Sequence, residues 1–269
     1  MFSLDHVVHY TKNPEEAVAK MKEEGFHAIQ GGEHPNWGTY NSLCYFDLSY
    51  IEFLGIRDLE LAKGVTDNML VQCVVEQAHV GEGLSQLALR ADNMEAAAKR
   101  LKEKGLQTGE SVPGKRTRKD GSVIEWQLLF PKKDGYDGPP LPFIIEWKNS
   151  DDARRSDLIQ QQAIGRHPAG DVYLSSIGLA VGNLDKRIAE WQDWFDLEPE
   201  ERFTDDQLNA RCQTLKLEGG NLLFCEPLGD GPVLQTVEKH GEHPILIDLT
   251  GTETDKERSM MGAIYRFQP

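Results

Sequence analysis

The feature that most constrains the fold is an internal repeat. The segment LDHVVHYTKNPEEAVAKM, which begins at Leu4, matches the segment LSQLALRADNMEAAAKRL, which begins at Leu84. Each copy has the pattern of a short apolar strand, a polar turn and an alanine-rich helix that ends near a glycine, Gly25 or Gly105. A repeat of this kind indicates that one supersecondary unit is used more than once.

Both copies continue in the same way. A short strand follows the helix, then a glycine-rich loop (GGEHPNWG or GKRTRKDG), then a further strand (TYNSLCYFDL or SVIEWQLLFP). Each copy closes on an apolar strand with one glutamate, SYIEFLG or PFIIEWK, so the alignment sets Glu52 opposite Glu146. The sequence therefore predicts two β-α-β-β-β modules, at residues 1–57 and 82–148.

The second half of the chain carries weaker copies of the same unit. A third copy begins at SSIGLAVGNLDKRIAEWQDWF, and a fourth, HPILIDLTGTETDKERSMMGAIYRFQ, is shorter. We predict an α+β protein with two domains of paired modules: residues 1–150, a linker at 151–170, and a degenerate second domain at 171–269. In the third copy Ile177 falls at the position of His6 and Phe224 falls near that of Glu52. Neither can bind a metal, so we expect this domain to be structural or to form one wall of a pocket.

Composition excludes several classes of function. The formal net charge of −15 repels phosphate backbones, so we expect no nucleic-acid partner. No apolar stretch approaches the roughly 20 residues that span a bilayer, so we expect no membrane partner. The start, MFSLDHVVHY, has no leader pattern, and the four cysteines form no CxxC pair. We therefore expect a cytoplasmic protein with reduced thiols.

The order of these motifs resembles that of the vicinal oxygen chelate superfamily, and the first domain is similar to its glyoxalase-like branch. The resemblance covers about two-thirds of the chain. It depends on the order and spacing of the motifs rather than on any single motif. It implies paired modules whose sheets curl around an open cleft. Its segments are LDHVV, HPNWGTYNSL, YIEFL, RTRKDG, EWQLLF and IIEW, with RHPAG at the junction between the domains.

The resemblance also implies a metal held by the first and last strands of each module. The ligand positions carried over are His6 and Glu52 from the first module, and Gln86 and Glu146 from the second. Imidazole with oxygen donors suits one divalent ion, Zn²⁺, Ni²⁺, Mn²⁺ or Co²⁺. Strand alternation supports inward-facing glutamates, because each interrupts an apolar run where an unpaired carboxylate is costly. Without a metal, His6 is a strand histidine bonded to a neighbour and Gln86 is a hydrogen-bonding group for a substrate.

Further residues are candidates for contact with a substrate. The resemblance places His34, Trp37 and Asn41 at the rim of the cleft, whereas the alternative is a structural role in a tight turn. Arg116 or Arg118, in the basic cluster KRTRKDG, is a candidate for receiving an anionic substrate. The alternative for that cluster is a solvated hairpin tip. Trp126, on the next strand, is a candidate apolar wall. The remaining histidines considered have no partner pattern and are assigned structural roles: His9, His27, His79 and His240.

The leading hypothesis is a metal-dependent lyase or isomerase of the glyoxalase type, acting on a small oxygenated and anionic molecule. In it Glu146 is the catalytic base and Glu52, also a candidate for proton transfer, is the permanent ligand. Three alternatives remain: a metal-free protein that binds or sequesters a small molecule, a catalytically silent scaffold, and a ring-cleaving dioxygenase. The last needs two histidines and a carboxylate, and Gln86 stands where the second histidine would be. The sequence is also compatible with a homodimer.

Overall fold

The computed structural model describes residues 1–118 and 121–269. Among these residues, the first half of the chain contains ten strands and the second half eight. The first ten are β1 (Phe2–Tyr10), β2 (Ile29–His34), β3 (Thr39–Phe46), β4 (Ser49–Ile56), β5 (Gly83–Ala91), β6 (Gln107–Thr108), β7 (Val112–Thr117), β8 (Val123–Leu129), β9 (Pro131–Lys132) and β10 (Phe143–Trp147). The other eight are β11 (Gly170–Ala180), β12 (Glu198–Pro199), β13 (Phe203–Asp205), β14 (Ala210–Lys216), β15 (Asn221–Pro227), β16 (His243–Thr252), β17 (Lys256–Met260) and β18 (Ala263–Gln268).

Two large sheets result, and both are built in the same way. The order of the first is β2-β3-β4-β1-β5-β10-β8-β7, and that of the second is β12-β14-β15-β11-β16-β18-β17, with β13 paired to β14. In each, the first strand of one module runs antiparallel to the first strand of the next, β1 to β5 and β11 to β16. The paired-module α+β architecture expected from the repeat is confirmed.

Seven helices connect these strands among the described residues. They are α1 (Pro14–Glu23), α2 (Leu59–Gly64), α3 (Met69–Val80), α4 (Met94–Glu103), α5 (Asp151–Gln160), α6 (Leu184–Phe195) and α7 (Pro232–His240). None of the helices in the two described stretches of chain is both long and apolar enough to cross a membrane.

One residue type begins the first helix of three modules. The side chains of Asn13, Asn93 and Asn183 each accept a hydrogen bond from the backbone N–H three residues later. Such an N-cap satisfies a donor that the helix itself leaves unpaired. Aligning the three caps places Ser176 at the position of His6, which corrects the earlier assignment of Ile177 by one residue.

Strand pairing corrects the second module in the same way. Val8 on β1 pairs with Glu52 on β4, and the equivalent pair in the second module is Ala88 on β5 with Phe143 on β10. Phe143, and not Glu146, therefore corresponds to Glu52. In the third module, the same pairing gives Leu223 in place of Phe224.

The two sheets share one hydrophobic core. It combines buried side chains of the first domain, such as Leu4 and Phe53, with Trp191, Phe224 and Phe267 of the second. His9 crosses this boundary, because its Nδ1 lies 2.6 Å from the Tyr265 hydroxyl. Its Nε2 donates to the Met261 carbonyl oxygen at 2.8 Å. Burial lowers the pKa of His9 to about 4, so this histidine is neutral at physiological pH.

Candidate functional site

The first sheet curls around a cavity of about 840 Å³. This volume is typical of sites that hold a small organic molecule. We call it the first-domain cleft. Its walls come from both modules of the first domain and from α5. The sequence-predicted residues that line it are His6, His34, Trp37, Asn41, Glu52, Arg116, Arg118 and Trp126.

His6 lies in the wall of this cleft between two carboxylates. Its Nδ1 is 2.7 Å from Oδ1 of Asp5, and its Nε2 is 3.5 Å from Oε2 of Glu52. Because an ionised carboxylate only accepts hydrogen bonds, Asp5 requires the proton of a neutral His6 to sit on Nδ1. The other ring nitrogen, Nε2, then carries the lone pair.

A local irregularity of β1 brings Asp5 and His6 to this arrangement. The register between β1 and β5 shifts between Leu4 and His6, as in a β-bulge, which re-aims side chains. The His6 ring then stacks on Tyr50 with 4.5 Å between centroids and meets the edge of Phe143 at 5.4 Å. These contacts fix the orientation of the imidazole.

Asp5 is fully buried and stays ionised. Burial alone would raise the pKa of its carboxyl, but the hydrogen bond with His6 and the charges of Arg154 and Arg90 outweigh that effect. The pKa of Asp5 is therefore held well below its usual range. Trp147 also donates its indole N–H to Asp5, at 2.9 Å.

Glu52 and His34 are held by neighbours on the same sheet. Asn41 donates from Nδ2 to Oε1 of Glu52 at 2.6 Å, which orients the carboxylate toward His6. His34 Nδ1 lies 3.0 Å from the Thr39 hydroxyl, and the His34 ring lies 5.7 Å from that of Trp37. Burial lowers the pKa of His34, so it is a neutral polar group in the cleft wall.

Three tryptophans form a continuous row along the cleft. The ring centroids of Trp37 and Trp126 are 6.4 Å apart, and those of Trp126 and Trp147 are 5.6 Å apart. These spacings fall within the range of favourable aromatic pairs. The row gives the cleft a broad apolar wall beside the polar groups around His6.

The two arginines predicted to receive an anion differ in their surroundings. Arg116 lines the cleft and packs over Gly32. A Cβ atom added to Gly32 would lie only 2.8 Å from the Arg116 side chain. Arg118 forms an ion pair with Asp157 of α5, at 2.9 Å between Nη1 and Oδ1. Lys119 and Asp120 of the same basic cluster lie outside the described residues.

The linker helix α5 is part of the site, which the sequence did not indicate. Arg154, Asp157 and Leu158 of this helix line the cleft. Sequence reasoning also missed Asp5 and Trp147. Asp5 directly precedes His6, and Trp147 ends the strand IIEW, so both could have been considered. No comparable feature of the sequence indicated that Arg154 would lie in the site.

Glu146 does not reach the cleft, which corrects the expectation that it faces inward beside Glu52. Its neighbours on β10, Ile145 and Trp147, line the cleft, so alternation turns Glu146 to the opposite face. There its Oε2 accepts the backbone N–H of Met94, in the first turn of α4, at 3.1 Å. A carboxylate at a helix N-terminus is a stabilising structural contact.

Gln86 also lies outside the lining of the cleft. It is buried, and its Nε2 donates to the Leu141 carbonyl at 3.0 Å. Its Oε1 has no hydrogen-bond partner among the described residues. Gln86 does not line the cleft where His6 and Glu52 meet.

The residues present therefore do not fit the four-ligand metal site that the resemblance implies. His6 and Glu52 come together, but Phe143 occupies the register position of the fourth ligand and Glu146 lies on the far face. Within residues 1–118 and 121–269, no three side chains of His, Cys, Asp or Glu converge as metal ligands do. The arrangement supplies an oriented imidazole between two carboxylates.

Two solved structures of other proteins share this fold. A hypothetical protein from Staphylococcus aureus is 20% identical, with a TM-score of 0.80 and full coverage of both chains. A triple mutant of 4-hydroxymandelate synthase from Streptomyces coelicolor is 12% identical, with a TM-score of 0.60, over 94% of this chain and 71% of that one. A variant of methylmalonyl-CoA epimerase from the same organism is 17% identical, over 55% of this chain and 98% of that one, with a TM-score of 0.39.

Comparison of the sequence with known proteins gives two further results. No curated protein matches the chain. A family model described as a glyoxalase-like domain matches residues 4–195, which include all but the first three residues of the first domain, the linker and the start of the second domain. The chain belongs to the glyoxalase-like domain family.

Proposed function

We propose that the first-domain cleft binds a small oxygenated organic molecule and that His6 transfers a proton on it, as in an isomerase or a lyase. The observation that carries the proposal is the environment of His6. Its Nδ1 is held by the buried carboxylate of Asp5 at 2.7 Å, while Nε2 lies beside Glu52 in the wall of the cavity. A base that is fixed in tautomer and orientation is what general acid–base catalysis requires.

The proposed step uses only residues of this chain. Nε2 of His6 removes a proton from a carbon next to a carbonyl group, and the negative charge of Asp5 stabilises the imidazolium that forms. Return of the proton to a neighbouring atom gives an isomer, whereas departure of a leaving group gives an elimination. Glu52, oriented by Asn41, is placed to exchange a proton with Nε2 between these events.

The metal-dependent form of this chemistry is not proposed, because the donor set does not fit. His6 and Glu52 supply two ligands, and the equivalent of Glu52 in the second module is Phe143. A glutamate base at position 146 is not proposed either, since its carboxylate accepts the Met94 N–H on the other face of the sheet.

One alternative has an observation in its favour. The row of Trp37, Trp126 and Trp147 gives the cleft an apolar wall of the kind that binds a ligand without changing it. In that case the protein sequesters a small molecule, and His6 serves only as a hydrogen-bonding group.

The test is incorporation of solvent deuterium into a panel of α-oxo compounds, followed by NMR. The wild type is expected to accelerate exchange at the carbon beside the carbonyl, and His6→Gln to slow it by about 10²- to 10⁴-fold. Ser176→Ala, at the equivalent strand position of the second domain, and Glu146→Gln should both leave exchange unchanged. Undiminished exchange in a folded His6→Gln protein would remove His6 from the mechanism. Tight binding of a panel compound without exchange would favour sequestration.

A further inference from the structure

We infer that the ligand of the first-domain cleft is an organic acid with an aryl or similarly broad apolar body, and that Arg154 receives its carboxylate. The inference rests on the proposed use of this cleft and names the class of molecule that it takes. It begins from Arg154, a buried cation that the sequence analysis did not place in a site.

Arg154 is a buried guanidinium in the wall of the cleft. Its side chain is 7% exposed, and it extends from α5, the helix between the two domains. Its Nη1 has no hydrogen-bond acceptor among the described residues. The acidic atoms around this guanidinium are Asp151 Oδ1, 3.5 Å from Nη1, and Asp5 Oδ2, 3.6 Å from Nη2. Both distances exceed that of a good N–H···O hydrogen bond.

A buried donor without an acceptor destabilises the free protein and favours a ligand that supplies one. The guanidinium lies over the Trp147 ring, with 4.3 Å from its central carbon to the ring centroid. This cation–π contact restrains the guanidinium beside the cleft, where its N–H groups can donate to a ligand. A carboxylate matches that edge because the two planar groups form charge-assisted hydrogen bonds.

The position of Arg154 relates the anion to the proton-transfer group. Arg154 and His6 both contact Asp5, one at each oxygen of its carboxylate. A ligand carboxylate bound by Arg154 therefore lies close to His6. The atoms next to that carboxylate are then the ones within reach of Nε2.

The row of tryptophans accounts for the rest of the ligand. Trp147, which stacks under Arg154, is also the end of the row that runs through Trp126 to Trp37. An apolar or aryl group joined to the carboxylate follows this wall. Its burial against indole surface supplies affinity that is independent of charge.

Two other arginines, Arg118 and Arg90, are less suited to this role. Arg118 is paired with Asp157 of α5. Arg90 contacts the same two acids as Arg154, Asp5 at 3.3 Å and Asp151 at 3.0 Å, but it does not line the cleft. Arg90 is therefore a matched control: it belongs to the same buried ion-pair network and lies outside the cavity.

The experiment compares two probes of the same shape, 2-naphthoate and its neutral amide, 2-naphthamide, by titration calorimetry. The wild type is expected to bind 2-naphthoate about ten- to a hundredfold more tightly than the amide, which is the value of one charge-assisted contact. Arg154→Gln should abolish that preference and keep the affinity for the amide. Arg90→Gln should keep both the preference and the affinities. Arg154→Lys, which retains the charge, should keep part of the preference and guards against a folding defect in Arg154→Gln.

Equal affinity of the wild type for the two probes, or an unchanged preference in Arg154→Gln, would overturn the inference. So would a wild type that binds neither probe. None of these results bears on deuterium exchange by His6, which is measured with uncharged as well as charged α-oxo compounds. Exchange in the wild type together with an indifferent Arg154 would leave the proposed function standing and remove only the ligand class.

Discussion

The two domains have the same strand pairing, and the cleft described above lies in the first. The difference lies in three equivalent positions. In the first domain they hold His34, Ala88 and Phe143, and in the second they hold Asp205, Asp248 and Arg266. Arg266 pairs with Asp248, at 2.6 Å between Nε and Oδ1, and also with Asp205. Ser176, the equivalent of His6, donates to the same Asp248 at 2.5 Å.

One backbone arrangement therefore serves two purposes. In the second domain each charged group of this cluster meets an opposite charge inside the protein, so no ligand is needed to complete it. In the first domain Arg154 Nη1 has no hydrogen-bond acceptor within the part of the chain that the structure describes, and His6 lines a cavity. Polar groups left incomplete around a cavity are those available for binding and proton transfer.

The strongest way to break the comparison is to install the ion pair of the second domain in the first. The double variant Ala88→Asp/Phe143→Arg should weaken 2-naphthoate binding by about two to four orders of magnitude, because a ligand would have to disrupt a buried ion pair. Titration calorimetry measures the affinity, and circular dichroism establishes the fold. Phe143→Leu alone keeps the wall apolar and is expected to retain binding. Unchanged affinity in the folded double variant would contradict the comparison.

Removing the ion pair from the second domain should instead affect stability. Arg266→Met leaves two buried carboxylates without their cation and should lower the free energy of unfolding by about 3 to 5 kcal/mol. Urea denaturation measures the change. Lys216→Met, which removes an exposed ion pair of the same domain, is the control and should cost less than about 1 kcal/mol. Similar losses in the two variants would mean that the buried cluster contributes no more to the free energy of unfolding than an exposed ion pair does.

A smaller effect tests how the first domain is joined to the second. The pKa of His9 is about 4 in the folded protein against an ordinary value of 6.5, because burial opposes its protonation. The unfolded chain therefore binds the proton first, and the contribution of neutral His9 is complete above pH 6.5 and lost as the pH falls toward 4. Unfolding free energy measured across this window should fall with acidification by up to about 1.4 kcal/mol per pH unit from this residue.

The matched variants for that measurement are His9→Gln and His79→Gln. His9 contacts Tyr265 and Met261 across the domain boundary, whereas His79 lies exposed near the end of α3. His9→Gln should flatten the dependence of stability on pH, and His79→Gln should leave it as in the wild type. An unaltered slope in His9→Gln would show that other groups account for the acid sensitivity.

The smallest effect is expected at Arg118. Because its guanidinium is already paired with Asp157, Arg118→Ala should change 2-naphthoate affinity by less than about threefold. The same calorimetric titration, run beside Arg154→Gln, provides the comparison. A loss at Arg118 as large as that at Arg154 would restore the basic hairpin as the anion receptor.

Much of the fold was readable in the sequence because the repeat and its helix caps are local features. Asn13 and Asn93 recur at the same distance from their strands. The resemblance to the vicinal oxygen chelate superfamily then placed His6, Asn41 and Glu52 in one cleft. All three line it.

The errors concern features that depend on long-range register. Glu146 was paired with Glu52 because both interrupt apolar runs, but β10 pairs with β5 through Phe143, three residues earlier. The alignment could not fix that register, because residues 131–142 before β10 have no counterpart in the first module. Arg154 was missed for a related reason: its helix reads as a polar linker, and only the packed structure brings it to the cleft.

We expect the first-domain cleft alone to hold the ligand, with its acid group on Arg154 beside His6. A crystal structure of the protein with 2-naphthoate tests this directly. The account predicts one bound molecule in the first domain, its carboxylate within hydrogen-bond distance of Arg154 Nη1 and its rings along Trp147 and Trp126. A molecule bound in the second domain, or one in the cleft with its carboxylate directed away from Arg154, would contradict it.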